Sequence, residues 1–190
     1  MGKDCPLGRR ISVHPSLIVW LSILIYLQPR LSVAFLLAAA FHELGHVLAL
    51  LLMGKPPDCL SLSFLGANMG VPVLSYGRAA IAYAAGPLFS FLLGLYGSRL
   101  PTLGRISMGL GLFNLLPISG LDGSGILTSL MCLALSPDTA QGIARWVSAG
   151  ICLLAFPLAL YWHHTAQFGL WLPVLAGLLL VKSVYLLANA

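Results

Sequence analysis

From Leu31 to Met53 the chain runs for 23 residues with one formal charge, Glu43, which is also the only glutamate in the sequence. At 1.5 Å per residue a helix of that length extends roughly 34 Å, enough to cross a bilayer. In lipid every backbone polar group must be satisfied internally, so a spanning segment is a helix or part of a closed barrel. The run therefore predicts a membrane helix, with Glu43 near its middle. An ionisable group at that depth is costly and marks a functional site by default.

The residues around Glu43 are His42-Glu43-Leu44-Gly45-His46. On a helix, His42 and His46 are i and i+4, and their imidazoles face the same way one turn apart. That spacing suits two ligands of one zinc ion. The adjacent Glu43 is placed to act as general base on a metal-activated water. The plain alternative, structural polar residues inside a helix, leaves the burial of the sole glutamate unexplained.

Composition fixes the class. The chain is 59% hydrophobic and 8% charged, whereas a soluble domain is about a quarter charged. Its mean hydropathy is +0.96, and it reads as a polytopic membrane protein. The net charge of +5 comes from basic residues at segment ends, among them Arg30, Lys55, Arg78, Arg105 and Arg145. That is membrane-topology signalling, and nucleic acid is not an expected partner. The cysteines Cys5, Cys59, Cys132 and Cys152 form no CxxC, which excludes a zinc ribbon and a dithiol redox motif. Cys132 and Cys152 lie in apolar runs and read as small core residues. No cleavable signal peptide of ordinary form is read at the N-terminus.

Six spans are expected. Ile11–Pro15 alternates and reads as a short strand or an interfacial segment, and Ser16–Leu27 begins the first span. Leu31–Met53 is the second. Lys55-Pro56-Pro57-Asp58 ends it. Leu60, Leu62 and Phe64 then alternate with serines, a strand signal, with a turn at Gly66-Ala67-Asn68 and a return strand over Met69–Leu74. The edge of such a hairpin could pair with an extended substrate, and an ordinary extramembrane loop is the competing reading. Arg78–Ser98 is the third span, where Pro87 would kink or open the helix. Ile106–Leu135 carries one charge, Asp122, and its Pro117 and glycines predict a broken fourth span with Asp122 in an irregular loop. Val147–Tyr161 and Phe168–Leu187 are the fifth and sixth, with Lys182 snorkelling to the interface.

This is one all-α membrane domain over residues 1–190, with its core at 31–135 and accessory spans at 11–28 and 142–190. The count of basic residues favours a cytosolic N-terminus.

A catalytic zinc takes three protein ligands and one open position. No second glutamate exists to be the third, leaving Asp4, Asp58, Asp122, Asp138, His14, His163 and His164. Asp4 and Asp138 lie in polar segments, and Asp58 sits on the connection leaving the same helix. His163 and His164 follow Tyr161-Trp162 at a span end, in the manner of an interfacial belt. Asp122 alone lies in a long apolar segment whose break lets it turn inward. The competing reading is an Asp in a Gly-rich turn outside the membrane.

Together these residues resemble the site-2 protease family of intramembrane zinc metalloproteases. The resemblance rests on His42-Glu43-x-x-His46, on Ala85-Gly86-Pro87-Leu88, and on Asn114-Leu115-Leu116-Pro117 followed by Asp122-Gly123. It spans about residues 11–135. His14-Pro15 before the first span is similar to the stage IV sporulation protein FB-like subgroup, here without that subgroup's soluble nucleotide-sensing domain.

The resemblance implies one Zn²⁺ per chain on His42, His46 and Asp122, with Glu43 as catalytic base. Asn114 would hydrogen-bond the substrate backbone or the oxyanion, or else cap a helix end. The substrate would be a transmembrane protein cut within or near its membrane segment, in regulated intramembrane proteolysis. The other partner is the lipid bilayer, a homo-oligomer is compatible with the chain, and a bacterial cell membrane is the implied location. Ser90 and Gly125 depart from the family pattern, which often has Asn and Arg there. Two rivals stand beside this reading: an inactive homologue that binds a membrane partner, and a metal transporter.

Overall fold

The computed structural model describes residues 11–13, 15, 18, 22, 25, 26, 28–63, 66–70, 73–97, 100–166 and 171–188. It is mainly helical and divides into two compact units, Met1–Phe113 and Asn114–Ala190. Of the expected first span, Ile18, Ser22, Ile25 and Tyr26 are described and helical, and the remainder lies outside the described residues.

In the first unit, helix α1 spans Pro29–Leu52. Pro29 suits the first helical position because its missing N–H has no intrahelical partner there. The helix stops in a Schellman motif: Gly54, at φ 67°, donates to the Leu51 carbonyl (3.0 Å) and Lys55 to that of Leu50 (3.0 Å). Pro56 and Pro57 follow, and neither can extend a helical hydrogen-bond ladder.

A three-stranded sheet packs three short segments in the order β1 (Ile11–Val13), β2 (Cys59–Ser63), β3 (Gly66–Gly70). β1 runs parallel to β2, pairing Ile11 with Leu60, and β3 runs antiparallel, pairing Ser63 with Gly66. That register corrects the boundaries read from sequence. Gly66, Ala67 and Asn68, expected as the turn, lie in β3, which ends at Gly70. Only two residues separate the paired Ser63 and Gly66, the shortest common hairpin connection.

Helix α2 spans Tyr76–Tyr96 and contains the fully buried Pro87, which does not end it. Helix α3 (Pro101–Asn114) follows. α1 and α2 approach closely at Gly45: a Cβ there would stand 2.6 Å from the Ala85 carbonyl oxygen and 2.9 Å from Phe89 Cβ. Small residues of this kind let helix backbones pack where lipid gives no hydrophobic drive. Between α2 and α3, Ser107 Oγ donates to the Ser90 carbonyl at 2.9 Å.

The second unit holds α4 (Asp122–Met131), α5 (Pro137–Ala166) and α6 (Trp171–Ala188). The helix break expected around Pro117 is present, between Asn114 and Asp122. Asp122 does not lie in the loop, however; it is the first residue of α4, where a carboxylate meets the positive end of the helix dipole. α5 is longer than the expected Val147–Tyr161 span because its polar lead-in from Pro137 is already helical.

Among the described residues, α1, α2 and α5 are long and apolar enough to cross a membrane, and α6 is an apolar but shorter helix. Burial is inverted relative to a water-soluble protein. Ser32, Ser90, Ser107, Ser148 and Ser183 are buried, while Leu52, Leu95, Leu154 and Val181 are well exposed. Lipid solvates large apolar side chains, so the interior is left to small residues whose hydroxyls find partners inside.

Candidate metal centre

α1 sets the two histidines one turn apart on the face that packs against α2. His42 is 4% exposed and His46 half-buried, and their Nε2 atoms stand 3.3 Å apart. The rings are nearly perpendicular, at 78°. Two nitrogens each 2.0–2.1 Å from a tetrahedral zinc are separated by about 3.3 Å. The pair therefore already has the spacing that zinc requires.

The far edge of each ring is fixed. His46 Nδ1 lies 2.7 Å from the Ala82 carbonyl oxygen. A carbonyl only accepts, so His46 carries its proton on Nδ1 and presents the Nε2 lone pair. His42 Nδ1 lies 2.9 Å from Ser90 Oγ, and Ser90 is fully buried. With Nδ1–H donating to that hydroxyl, His42 also turns an Nε2 lone pair toward its neighbour. Metal-ligating histidines characteristically donate their other ring N–H to such a partner, which fixes tautomer and ring orientation.

Gly86 completes this side of the site. A Cβ there would collide with His46 Nε2 and come within 2.8 Å of His42 Nε2. The motif's inner glycine, Gly45, holds α1 against α2, and its neighbour Leu44 points outward.

The remaining sequence candidates are distributed as follows. Glu43 is half-buried on α1 between the histidines. Asn114 is the last residue of α3 and half-buried, and Asp122 heads α4, also half-buried. Asp58, Asp138 and His164 are exposed and His163 is half-buried at the end of α5. Asp4 and His14 lie outside the described residues. Sequence reasoning missed the two groups that orient the histidines. Ser90 registered only as a departure from a family pattern, and the Ala82 carbonyl carries no side-chain signal at all.

No protein-family model matches this chain, and no curated protein matches it in sequence. Its structure is similar to that of the site-2 protease from Methanocaldococcus jannaschii, with a TM-score of 0.71 and 20% sequence identity. The match covers 95% of this chain and 92% of that chain. The fold is thus that of a site-2 protease.

Proposed function

We propose that this chain is an intramembrane zinc metalloprotease of the site-2 type, hydrolysing a peptide bond within or near a transmembrane segment of a membrane-protein substrate. The observation that carries the reading is the His42–His46 pair. Two imidazoles at zinc-ligand separation, one buried and one half-buried and each with its Nδ1 edge engaged, flank the only glutamate of the chain on an apolar helix. Asp122 is the proposed third ligand, because it is the one acid of a long apolar segment and heads the helix that follows the break in it. A His₂Asp set leaves one of zinc's four positions open.

When bound, zinc supplies Lewis-acid activation of water and of the scissile carbonyl. Glu43 takes the proton of the attacking water and passes it to the leaving amine. Asn114 sits where α3 ends and serves to hold the substrate backbone or the developing oxyanion. The substrate helix must unwind to expose its amide bond, and an edge of the three-stranded sheet would give the extended segment a strand to pair with.

Zinc content of detergent-purified protein tests the site, alongside His46→Ala and Asp122→Ala. About one zinc per chain, lost in both variants, is the expected result. Glu43→Gln should then keep its zinc and lose about 10²–10⁴-fold in cleavage of single-span substrates. Absence of metal in the wild type under zinc-replete conditions would leave a membrane scaffold as the better account.

A further inference from the structure

The second unit contains a polar chain that the proposed chemistry does not use, and it ends on the turn that precedes Asp122. Ile118-Ser119-Gly120-Leu121 is closed by the Leu121 N–H donating to the Ile118 carbonyl at 2.9 Å, with Gly120 at φ 100°. A positive φ at the third position is the mark of a type II turn and explains the glycine. The closing hydrogen bond does not use the N–H of the second residue, Ser119. That N–H donates to Ser148 Oγ on α5 at 2.9 Å. Ser148 Oγ lies 2.9 Å from Ser183 Oγ on α6, which in turn lies 3.5 Å from Cys152 Sγ.

Ser148, Cys152 and Ser183 are all 2% exposed or less. Ser148 Oγ accepts from the Ser119 N–H and still has a proton and a lone pair for the Ser183 hydroxyl, so the contact can be made with either serine as donor. Hydrogen bonds linked in such a chain polarise one another. A second side chain packs against the same turn. Lys182 Nζ, expected to snorkel to the interface, lies against Gly120, where a Cβ would otherwise stand. Leu121 then serves as N-cap of α4, and Asp122 is the next residue.

We propose that Ser148 and Ser183 are positioning residues for Asp122: through the Ser119 N–H they fix the turn that aims the carboxylate. The proposal rests on the reading of Asp122 as a metal ligand. It gives α5 and α6 a function beyond spanning the membrane. Two buried serines, 29 and 64 residues away from Ser119, would set the affinity of a site to which neither contributes a ligand atom.

The test uses the full chain in detergent with zinc and cobalt(II) as probes. It measures zinc Kd by chelator competition, the cobalt ligand-field spectrum, and thermal stability. Ser148→Ala should raise the zinc Kd about tenfold and alter the cobalt spectrum, the scale typical of groups that orient a ligand. Ser148→Thr keeps the hydroxyl and should restore both. Ser183→Ala should act in the same direction more weakly, and the double alanine variant should be no worse than Ser148→Ala, because the two act in series.

Unchanged zinc Kd and cobalt spectrum in Ser148→Ala, with only the melting temperature lowered, would make the chain structural and overturn the proposal. If Ser148→Ala does not fold, the same comparison is made on Ser183→Ala. A wild-type protein that binds neither ion would instead overturn the protease reading itself, a result distinct from failure of the serine variants alone.

Discussion

Replacing Ser90 by alanine removes one oxygen from a fully buried position, 2.9 Å from His42 Nδ1. Two estimates of the cost can be compared. A buried donor left without its partner costs about 1–3 kcal/mol. Loss of a group that orients a metal ligand typically weakens metal binding about 10–100-fold, or roughly 1.4–2.8 kcal/mol at 1.4 per decade. The ranges overlap, yet part of the first cost falls equally on metal-free and metal-loaded protein and cancels from the dissociation constant. What survives is the extra strength of the Nδ1–H hydrogen bond once Nε2 is bound to a cation, together with freedom of the ring to rotate. The expected rise in zinc Kd is therefore near the lower end, about tenfold. Competition against a chromogenic chelator in detergent measures it. Ser90→Cys, a weaker acceptor of similar shape, should fall between. A Ser90→Ala protein that binds zinc within about twofold of wild type would refute the claim that this hydroxyl orients His42.

Gly86→Ala should abolish zinc binding, because the new methyl would occupy the space of both Nε2 edges. Gly77→Ala on the same helix meets nothing within 4 Å and should leave zinc content intact; helical stability there should rise by up to about 1 kcal/mol. Comparative metal analysis of the two variants checks this. Zinc removal should lower thermal stability, since a ligand held at 100 times its Kd stabilises the folded state by about 2.7 kcal/mol. A chelator should shift the melting temperature of wild type and leave that of His46→Ala unchanged.

The parts of the fold carried by long local patterns were legible in the sequence. An uninterrupted apolar run gives α1, the i, i+4 repeat places both histidines on one face, and Pro117 with its glycines breaks the fourth span. What could not be read depends on partners distant in sequence. The Ser90 hydroxyl matters because His42 lies across a helix interface, and the Ala82 carbonyl would be there whatever side chain residue 82 carried. Asp122 was assigned to a loop because Pro117 and three glycines around it disfavour a helix; the turn itself ends one residue earlier, and the carboxylate heads a helix instead. Lys182 was sent to the interface by its place near a helix end; that its side chain lies against Gly120 is a contact across 62 residues that no local pattern shows.

The unlike supports of the two histidines have an evolutionary consequence. His42 leans on a side chain, so a single nucleotide change at Ser90 would retune its hold on any ion bound there. His46 leans on main chain, which mutation cannot delete without dismantling the helix that carries it. Divergence in metal avidity among such proteins should therefore be inherited through one imidazole, while the other stays fixed however far the sequences drift.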